Sequence, residues 1–262
     1  MNLHEYTLII INSSAGKDSL ASMWEINRMA QEQNFPADKI FVSHQCLGKM
    51  EWPGTRELAE RQARKFGWGF EVSKYRDAAG QEISLLEYAE KRGKWPAKKQ
   101  RWCTSEFKRG AGARVVTKLT KGLGDCKVLH VFGFRAQESA DRAKKQTLVL
   151  NTRISSKKRK VYDYLPIHNW SSFEVWATIK GAGLEYHPAY DLGMPRLSCV
   201  FCIFSPFQAL VIAGKHNPQL LDEYVKVEAK IGHTFTAAHS LAEVKAVVEA
   251  GAIVESVEDW VM

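Results

Sequence analysis

The sequence predicts an α/β fold, a doubly wound parallel sheet with a helical C-terminal part. Three observations carry that expectation. The segment Tyr6 to Asn12 is a continuous apolar, β-branched run, as expected of a strand buried on both faces. A Ser/Gly-rich turn and an amphipathic helix follow it directly, and further short apolar strands alternate with amphipathic helices. Beyond residue 150 the alternation becomes less regular and helical periodicity takes over.

In chain order, Leu20, Met23 and Trp24 have the i, i+3, i+4 spacing of one helix face. Lys39 to Val42 reads as the second strand, Ala59, Ala63 and Phe66 line a second helix, and Phe70 to Val72 mark a short third strand. Lys127 to Gly133 is the next strong strand. Ser171, with Glu174 three residues later, is a capping box that opens a helix carrying Val175, Trp176 and Ile179. Residues 206–231 and 240–250 also read as helical. Parallel sheets of this kind bind ligands at the carboxyl ends of their strands.

The chain has 262 residues, 45% hydrophobic and 25% charged, enough apolar material for one proper core. No secretory leader pattern opens it and no apolar run approaches the ~20 residues needed to cross a bilayer, so a cytoplasmic location is expected. Five cysteines are too few for a disulfide scaffold and are expected to be thiols, metal ligands or redox groups. The formal charge of +8 and pI near 9.2 suit a polyanionic partner. Lys91, Arg92, Lys94, Lys98, Lys99, Arg101, Lys108 and Arg109 crowd one stretch, and Lys157, Lys158, Arg159 and Lys160 form a second. Solvated surface is the bland alternative for either run.

After the first strand comes Ser13-Ser14-Ala15-Gly16-Lys17-Asp18-Ser19. A turn placed there aims free backbone N–H groups and a helix N-terminus at whatever sits above the sheet, which makes an anion site. Gly16 permits close approach of a phosphate, Lys17 adds charge, and the hydroxyls of Ser14 and Ser19 can donate. Asp18 would repel a phosphate unless it holds Mg²⁺ or orients a neighbouring donor. The spacing is not GxxxxGK[ST], which argues against a γ-phosphate motor or kinase.

Ser14 to Ser19 resembles the SGGKDS signature of PP-loop ATP pyrophosphatases, with Ala15 in its second position. Phe134-Arg135-Ala136-Gln137-Glu138-Ser139-Ala140-Asp141-Arg142, after the Lys127 to Gly133 strand, resembles an element of the phosphoadenylyl-sulfate (PAPS) reductase branch. Leu165-Pro166-Ile167, Trp170, Val175-Trp176, His187-Pro188-Ala189-Tyr190-Asp191-Leu192-Gly193 and Ser198-Cys199-Val200-Phe201-Cys202 follow in that branch's order. Gly48 to Thr55 resembles its substrate-side loop more loosely, and a plain loop with a helix cap is the alternative.

The resemblance implies a Rossmann-like fold of the adenine nucleotide alpha hydrolase type. It implies residues 1–170 as the PP-loop nucleotide-binding domain and 171–262 as a helical part, carrying the CxxC pair, packed on the same core. It also implies a nucleotide site of Ser14, Ala15, Gly16, Lys17, Asp18, Ser19, Gly133, Arg135, Glu138 and Arg142, with Lys17, Asp18 and Arg135 catalytic. The expected ligands are ATP and Mg²⁺, the ATP being cleaved between its α and β phosphates. Arg135 and Arg142 would offer planar donors to a pyrophosphate or sulfate, and Glu138 would fix Arg135.

Cys103 stands where reductases of the branch carry a cysteine pair, here preceded by Trp102, and Cys199 and Cys202 lie within reach of one metal. Cys103, Cys199 and Cys202 are therefore expected to hold a [4Fe–4S] cluster, the basic surroundings favouring the thiolate form. An open iron, or another ligand such as His187, would complete it. Zinc is the alternative metal, and buried thiols without metal are the third reading. Cys46 and Cys126 read as core residues, and His44, His130 and His168 have no ligand spacing around them.

No cysteine follows Cys202, so the thiolate nucleophile that PAPS reductases carry in their C-terminal tail is missing. The leading expectation is thus an ATP pyrophosphatase that adenylates an acceptor for sulfur transfer, as in bacterial DNA phosphorothioation. Its partners would be DNA, favoured over tRNA, and a sulfur donor such as a cysteine desulfurase, in a homo-oligomer without membrane contact. A sulfonucleotide reductase-like enzyme, a tRNA thiolation enzyme and a non-catalytic nucleotide- or DNA-binding subunit are the alternatives.

Overall fold

A computed structural model describes residues 1–260. Strand β1 (Leu8–Ser13) leads into helix α1 (Lys17–Glu32), followed by β2 (Ile40–Gln45), α2 (Thr55–Lys65) and β3 (Gly69–Ser73). Helix α3 (Leu85–Arg92) comes next. A π-helical segment, Cys103–Gly110, then runs into α4 (Ala111–Leu119). Beyond these come β4 (Cys126–Val131), the short α5 (Ala140–Ala143), β5 (Leu148–Leu150), β6 (Arg159–Tyr164) and helices α6 (Ser172–Gly181), α7 (Phe207–His216), α8 (Pro218–Ile231) and α9 (Leu241–Glu249).

The sheet order is β3-β2-β1-β4-β6-β5, with every pair parallel except β5 against β6. The chain runs outward from β1 through β2 to β3 and then returns to β1's other side with β4. The order therefore switches between β1 and β4, and the turn after β1 opens at that crevice. The predicted α/β class, with its helical C-terminal part, describes this architecture.

Burial on both faces explains the apolar run of β1. Ile9 and Ile11 pack on one side with Met23, Ile26 and Met29 of α1, while Ile10 packs on the other with Val116, Val128 and Val161. A strand's side chains alternate between faces, so three successive isoleucines serve two cores, each contributing ~1.5–3 kcal/mol by burial.

Several elements depart from the sequence expectation. β1, β2 and β4 each lie one to three residues further along, or end earlier, than the apolar runs alone suggest. The 206–231 stretch is two helices, because Pro218 at the first turn of α8 has no N–H to continue α7. Helices α3 and α4, the π-helical segment and strands β5 and β6 were not expected. Only Val161 of β6 is fully buried, so its sequence shows little strand signal although it pairs along its whole length with β4. For α3 a usable signal was present, the Ser84/Glu87 capping box, both halves of which form.

The largest apolar cluster joins Met50, Trp52, Trp95, Trp102 and Phe107 to Ala209, Leu210, Tyr224 and Val244, so helices α7 to α9 share a core with the middle of the chain. Among the described residues, no helix is long and apolar enough to cross a membrane.

The Ser171 capping box sets the start of α6: Glu174 N donates to Ser171 Oγ at 3.1 Å, and Ser171 N donates to the Glu174 carboxylate at 2.6 Å. Ser171→Ala should lower unfolding free energy by ~1 kcal/mol. Its neighbour Phe173, 80% exposed, should tolerate alanine within ~0.5 kcal/mol. Urea denaturation of both variants measures the difference, and equal midpoints would show that the cap contributes nothing.

Candidate nucleotide site and cysteine cluster

The turn between β1 and α1 is held in shape by its own atoms. Ala15 has φ +58°, a left-handed conformation rare outside glycine, and its N–H donates to Ser13 Oγ at 3.0 Å. Its methyl group is buried against Leu58, Ala59 and Leu197. Ser19 Oγ donates to the Gly16 carbonyl at 2.8 Å, so this hydroxyl braces the turn, whereas Ser14 is exposed. A β-carbon on Gly16 would sit 3.2 Å from Ser14 Oγ and 3.3 Å from Tyr190 Oη, which leaves little room for any other residue.

Lys17 is 2% exposed. Its ammonium donates to the Pro195 carbonyl at 2.8 Å, lies 3.6 Å from Asp18 Oδ2 and faces the Tyr190 ring at 5.6 Å. Its backbone N–H donates to Tyr190 Oη at 2.8 Å, so the tyrosine of the His187-Pro188-Ala189-Tyr190 motif closes directly on the helix N-terminus. Burial, with Asp18 adding to it, holds the Tyr190 phenol above its ordinary range, and the hydroxyl stays protonated. A cavity of about 350 Å³ opens here, lined by Lys17, Ser172, Trp176, Tyr190, Met194 and Pro195 on one side. Ser256, Val257 and Asp259 of the C-terminal tail line the other. Val257 N donates to the Gly193 carbonyl at 3.2 Å, and Arg196 Nε meets Asp259 Oδ1 at 2.5 Å. The sequence placed Tyr190 in a family-like motif without giving it a role and did not single out the tail, because both reach the turn only through tertiary packing.

Arg135 is 1% exposed, and four of its five N–H groups meet acceptors. Its Nε donates to Asp18 Oδ1 at 2.6 Å and its terminal nitrogens to Gln137 Oε1 at 2.9 Å, Ser172 Oγ at 3.1 Å and the Trp170 carbonyl at 3.4 Å. The expected Glu138 contact is made to the backbone: Glu138 Oε2 accepts the Arg135 N–H at 2.8 Å. The Glu138 carboxylate pairs with Arg142, whose guanidinium lies 4.4 Å from the Phe134 ring centroid, and with Arg196 at 3.5 Å. Gly133 has a packing role. A β-carbon there would come 2.6 Å from the Asp18 carbonyl oxygen and 2.9 Å from Ser19 N, so only glycine lets the chain after β4 touch the start of α1.

Cys103, on the π-helical segment, and Cys199 and Cys202 share the electrostatic neighbourhood of Lys108, a residue that solvent reaches. The three cysteines, Cys199 foremost, hold the Lys108 ammonium above its ordinary range. The expectation that basic surroundings would favour thiolates is corrected here. Burial outweighs the cation, pushing the Cys199 thiol up to about 12 and raising Cys202 as well. Most of the basic stretch points to solvent instead, with Arg92 over Tyr88 and Trp102 and Arg101 over Phe204. Three sulfurs around one cation fit an anionic cluster by donor chemistry. Single-zinc bonds of ~2.3 Å would need them within ~3.8 Å of one another. Among the described residues, only His44, Cys46 and Glu51 bring three ligand atoms within 4.8 Å of one another.

His187 does not supply a fourth ligand. Its Nδ1 accepts from Ala189 N at 3.1 Å, so Nε2 carries the proton and donates to the Pro53 carbonyl at 3.2 Å. Both nitrogens are committed to fastening Pro188 to the loop before α2, and burial lowers the ring's pKa. Cys126 is buried, as expected of a core residue. His130 lies between Asn12 and Asp163, and His168 bonds the Arg142 carbonyl. In the substrate-side loop, Gly54 caps α2 with φ +84° and Thr55 Oγ1 donates to the Trp52 carbonyl, so this stretch acts as a cap.

A profile of the phosphoadenosine phosphosulfate reductase domain matches residues 8–205. The chain belongs to that family. The matched span includes the Ser14–Ser19 turn, the Phe134–Arg142 element and both cysteines of the CxxC pair, but not the tail that lines the cavity. An uncharacterised protein of Methanocaldococcus jannaschii is 32% identical over 132 residues, which are 50% of this chain and 26% of that protein. An uncharacterised 37.8 kDa protein of Escherichia phage 186 is 28% identical over 235 residues, covering 76% of this chain and 68% of its own. The chain thus spans about a quarter of the archaeal relative and two thirds of the phage one.

Among solved structures, PAPS reductase from Candida auris matches with TM-score 0.46 and 18% identity, over 73% of this chain and 80% of that one. A mutant FMN adenylyltransferase from Candida glabrata matches with TM-score 0.51 and 12% identity, over 74% of this chain and 55% of that one. With the FMN adenylyltransferase the shared feature is the fold.

Two predictions test the geometry. Gly133→Ala forces a methyl group onto the α1 backbone and should cost ~1–3 kcal/mol by overpacking. Chemical denaturation measures it, and a loss below ~0.5 kcal/mol would mean that strand and helix do not touch as described. His187, with its folded pKa lowered, binds fewer protons in the folded chain than in the unfolded one below about pH 6.5. Its contribution is therefore complete above that pH and lost as pH falls from there through the lowered folded pKa. His187→Asn, which keeps an acceptor for Ala189 N, should flatten the stability–pH curve over that window; parallel curves would refute the neutral ring.

Proposed function

We propose that this chain is an ATP pyrophosphatase that cleaves ATP between its α and β phosphates to adenylate an acceptor for sulfur transfer, with DNA as the favoured acceptor. One observation carries the reading: buried Lys17 and buried Arg135, paired with the half-buried Asp18, converge on the glycine turn at the switch point of the sheet, beside a cavity.

The triphosphate would lie against the turn of Ser14, Ala15 and Gly16 and the first N–H groups of α1, where backbone donors and the helix dipole favour an anion. Lys17 would exchange the Pro195 carbonyl for a phosphate oxygen. A carbonyl is a weaker partner than a phosphate for an ammonium, so the exchange is downhill. Arg135 would act as a fixed donor, since Asp18, Gln137 and Ser172 already hold its plane in place. Charge that develops on the departing pyrophosphate would then meet the remaining Arg135 N–H, already held in place. Mg²⁺ would arrive with the triphosphate and neutralise part of its charge. Gly133, Glu138, Arg142 and Ser19 would support these residues from behind.

Cys103, Cys199 and Cys202 would hold a [4Fe–4S] cluster, which when bound supplies sulfur or electron chemistry. The exposed lysines and arginines of residues 91–109 begin just before Cys103 and would track a nucleic-acid backbone past it. A cysteine desulfurase is the class of partner that would supply the sulfur, and assembly as a homo-oligomer belongs to the same reading.

The test is pyrophosphate release from Mg·ATP, with and without DNA, tRNA or a sulfonucleotide. Wild type should release pyrophosphate, and Lys17→Ala should be slower by ~10²–10³-fold, the scale of one lost preorganised donor. DNA binding should weaken steeply with salt. Sulfite release from a sulfonucleotide without ATP consumption, or a Lys17→Ala variant at the wild-type rate, would overturn the proposal.

A further inference from the structure

We propose that His44, Cys46 and Glu51 form a zinc site distinct from the one assigned to Cys103, Cys199 and Cys202. The site lies at the carboxyl end of β2, and its three ligand atoms fall within 4.8 Å of one another. The proposal is independent of the nucleotide reading.

The geometry around His44 aims a ring nitrogen at the other two ligands. His44 Nδ1 lies 2.9 Å from the Ser13 carbonyl oxygen, which can only accept, so Nδ1 carries the hydrogen. Nε2 faces the Glu51 carboxylate at 3.3 Å, a position that a proton or a metal ion can fill. Zinc would take that proton's place, so its uptake would release a proton. A histidine whose second nitrogen donates to a backbone carbonyl is the usual arrangement around a bound metal, because that bond fixes the tautomer and aims the ring. The other two ligands are supported in the same way. Gly48 N donates to Cys46 Sγ at 3.4 Å and Leu47 N donates to Glu51 Oε2 at 3.2 Å, so a backbone amide backs both the thiolate and the carboxylate.

The donor set selects the metal. Imidazole and thiolate exclude hard cations such as Mg²⁺ and Ca²⁺, whereas one nitrogen, one sulfur and one oxygen suit zinc. A thiolate and a carboxylate balance the charge of a divalent ion. Tetrahedral bonds of ~2.0–2.3 Å place ligand atoms ~3.3–3.8 Å apart, so the trio needs only side-chain adjustment to close. Three protein ligands leave a fourth position for water.

The site would fasten three things together. It closes the turn from Cys46 to Glu51 onto β2, it bears on Ser13 at the base of the phosphate turn, and Glu51 pairs through its backbone with Cys199. Zinc would therefore stiffen the floor on which both candidate centres rest.

The experiment uses the full chain. Zinc content is measured after dialysis, Co²⁺ is titrated in as a spectroscopic probe, and the zinc shell is counted by X-ray absorption. The expected result is one zinc per chain with a single sulfur neighbour, and a thiolate-to-Co²⁺ band. Cys46→Ser and His44→Asn should weaken binding beyond the ~10–100-fold typical of losing a mere supporting partner. Cys103→Ser should keep the site. Glu51→Gln, nearly isosteric, replaces either variant if its circular dichroism shows that it has not folded. A zinc shell of three sulfurs would overturn the proposal. So would zinc content indifferent to Cys46→Ser and His44→Asn in folded protein, or failure to take up zinc or cobalt at all.

Discussion

The pairing of Arg135 with Asp18 is the contact on which the rest of the site depends. It joins the first turn of α1 to the segment after β4, the two sides of the crevice at which the strand order reverses. A guanidinium buried this deeply is tolerable only because each side of its plane meets an acceptor, from Asp18, Gln137, Ser172 or Trp170. Removing the carboxylate alone would leave an uncompensated charge inside the protein, a change that typically costs ~3–5 kcal/mol. Gly133 makes the pairing possible by letting the backbones approach closely, and α6 completes it by delivering Ser172 from a capped start.

Around this pair the charges nearly cancel. Lys17, Arg135, Arg142 and Arg196 face Asp18, Glu138 and Asp259, four cations against three carboxylates. Nearly all are held in pairs, so the residual positive field is small in sum but fixed in direction, which suits an anion that brings several charges of its own. At the cysteines the balance runs the other way, with desolvation dominating over the single cation Lys108. Two neighbouring parts of one fold thus show opposite outcomes of the same competition between charge and burial.

What the sequence revealed follows from how local each signal is. The strand, glycine turn and helix of residues 8–32 were readable because burial on two faces writes a continuous apolar run, and α6 because a capping box is a four-residue signal. β6 was hidden because only Val161 is fully buried, and α4 because its π-helical lead-in shifts the apolar period and crowds it with basic residues. In the site, the residues of the Ser14–Ser19 turn and of Arg135 to Arg142 were visible as motifs. Tyr190 closing on Lys17, Arg196 between Glu138 and Asp259, and the lining by Ser256 and Val257 were not. Those contacts join residues far apart in the chain, and no spacing rule reaches that far. The same limit hid His44, read from the sequence as having no ligand spacing around it, although Ser13, Cys46 and Glu51 surround it in the fold.

The turn itself carries one more lesson, in the alanine at its second position. A left-handed backbone costs a residue with a side chain ~1–2 kcal/mol that glycine would not incur. Ala15 offsets part of this by burying its methyl group on α2. The curvature is thus fixed by the fold itself, and any anion bound there would meet a mould whose entropic cost was met during folding.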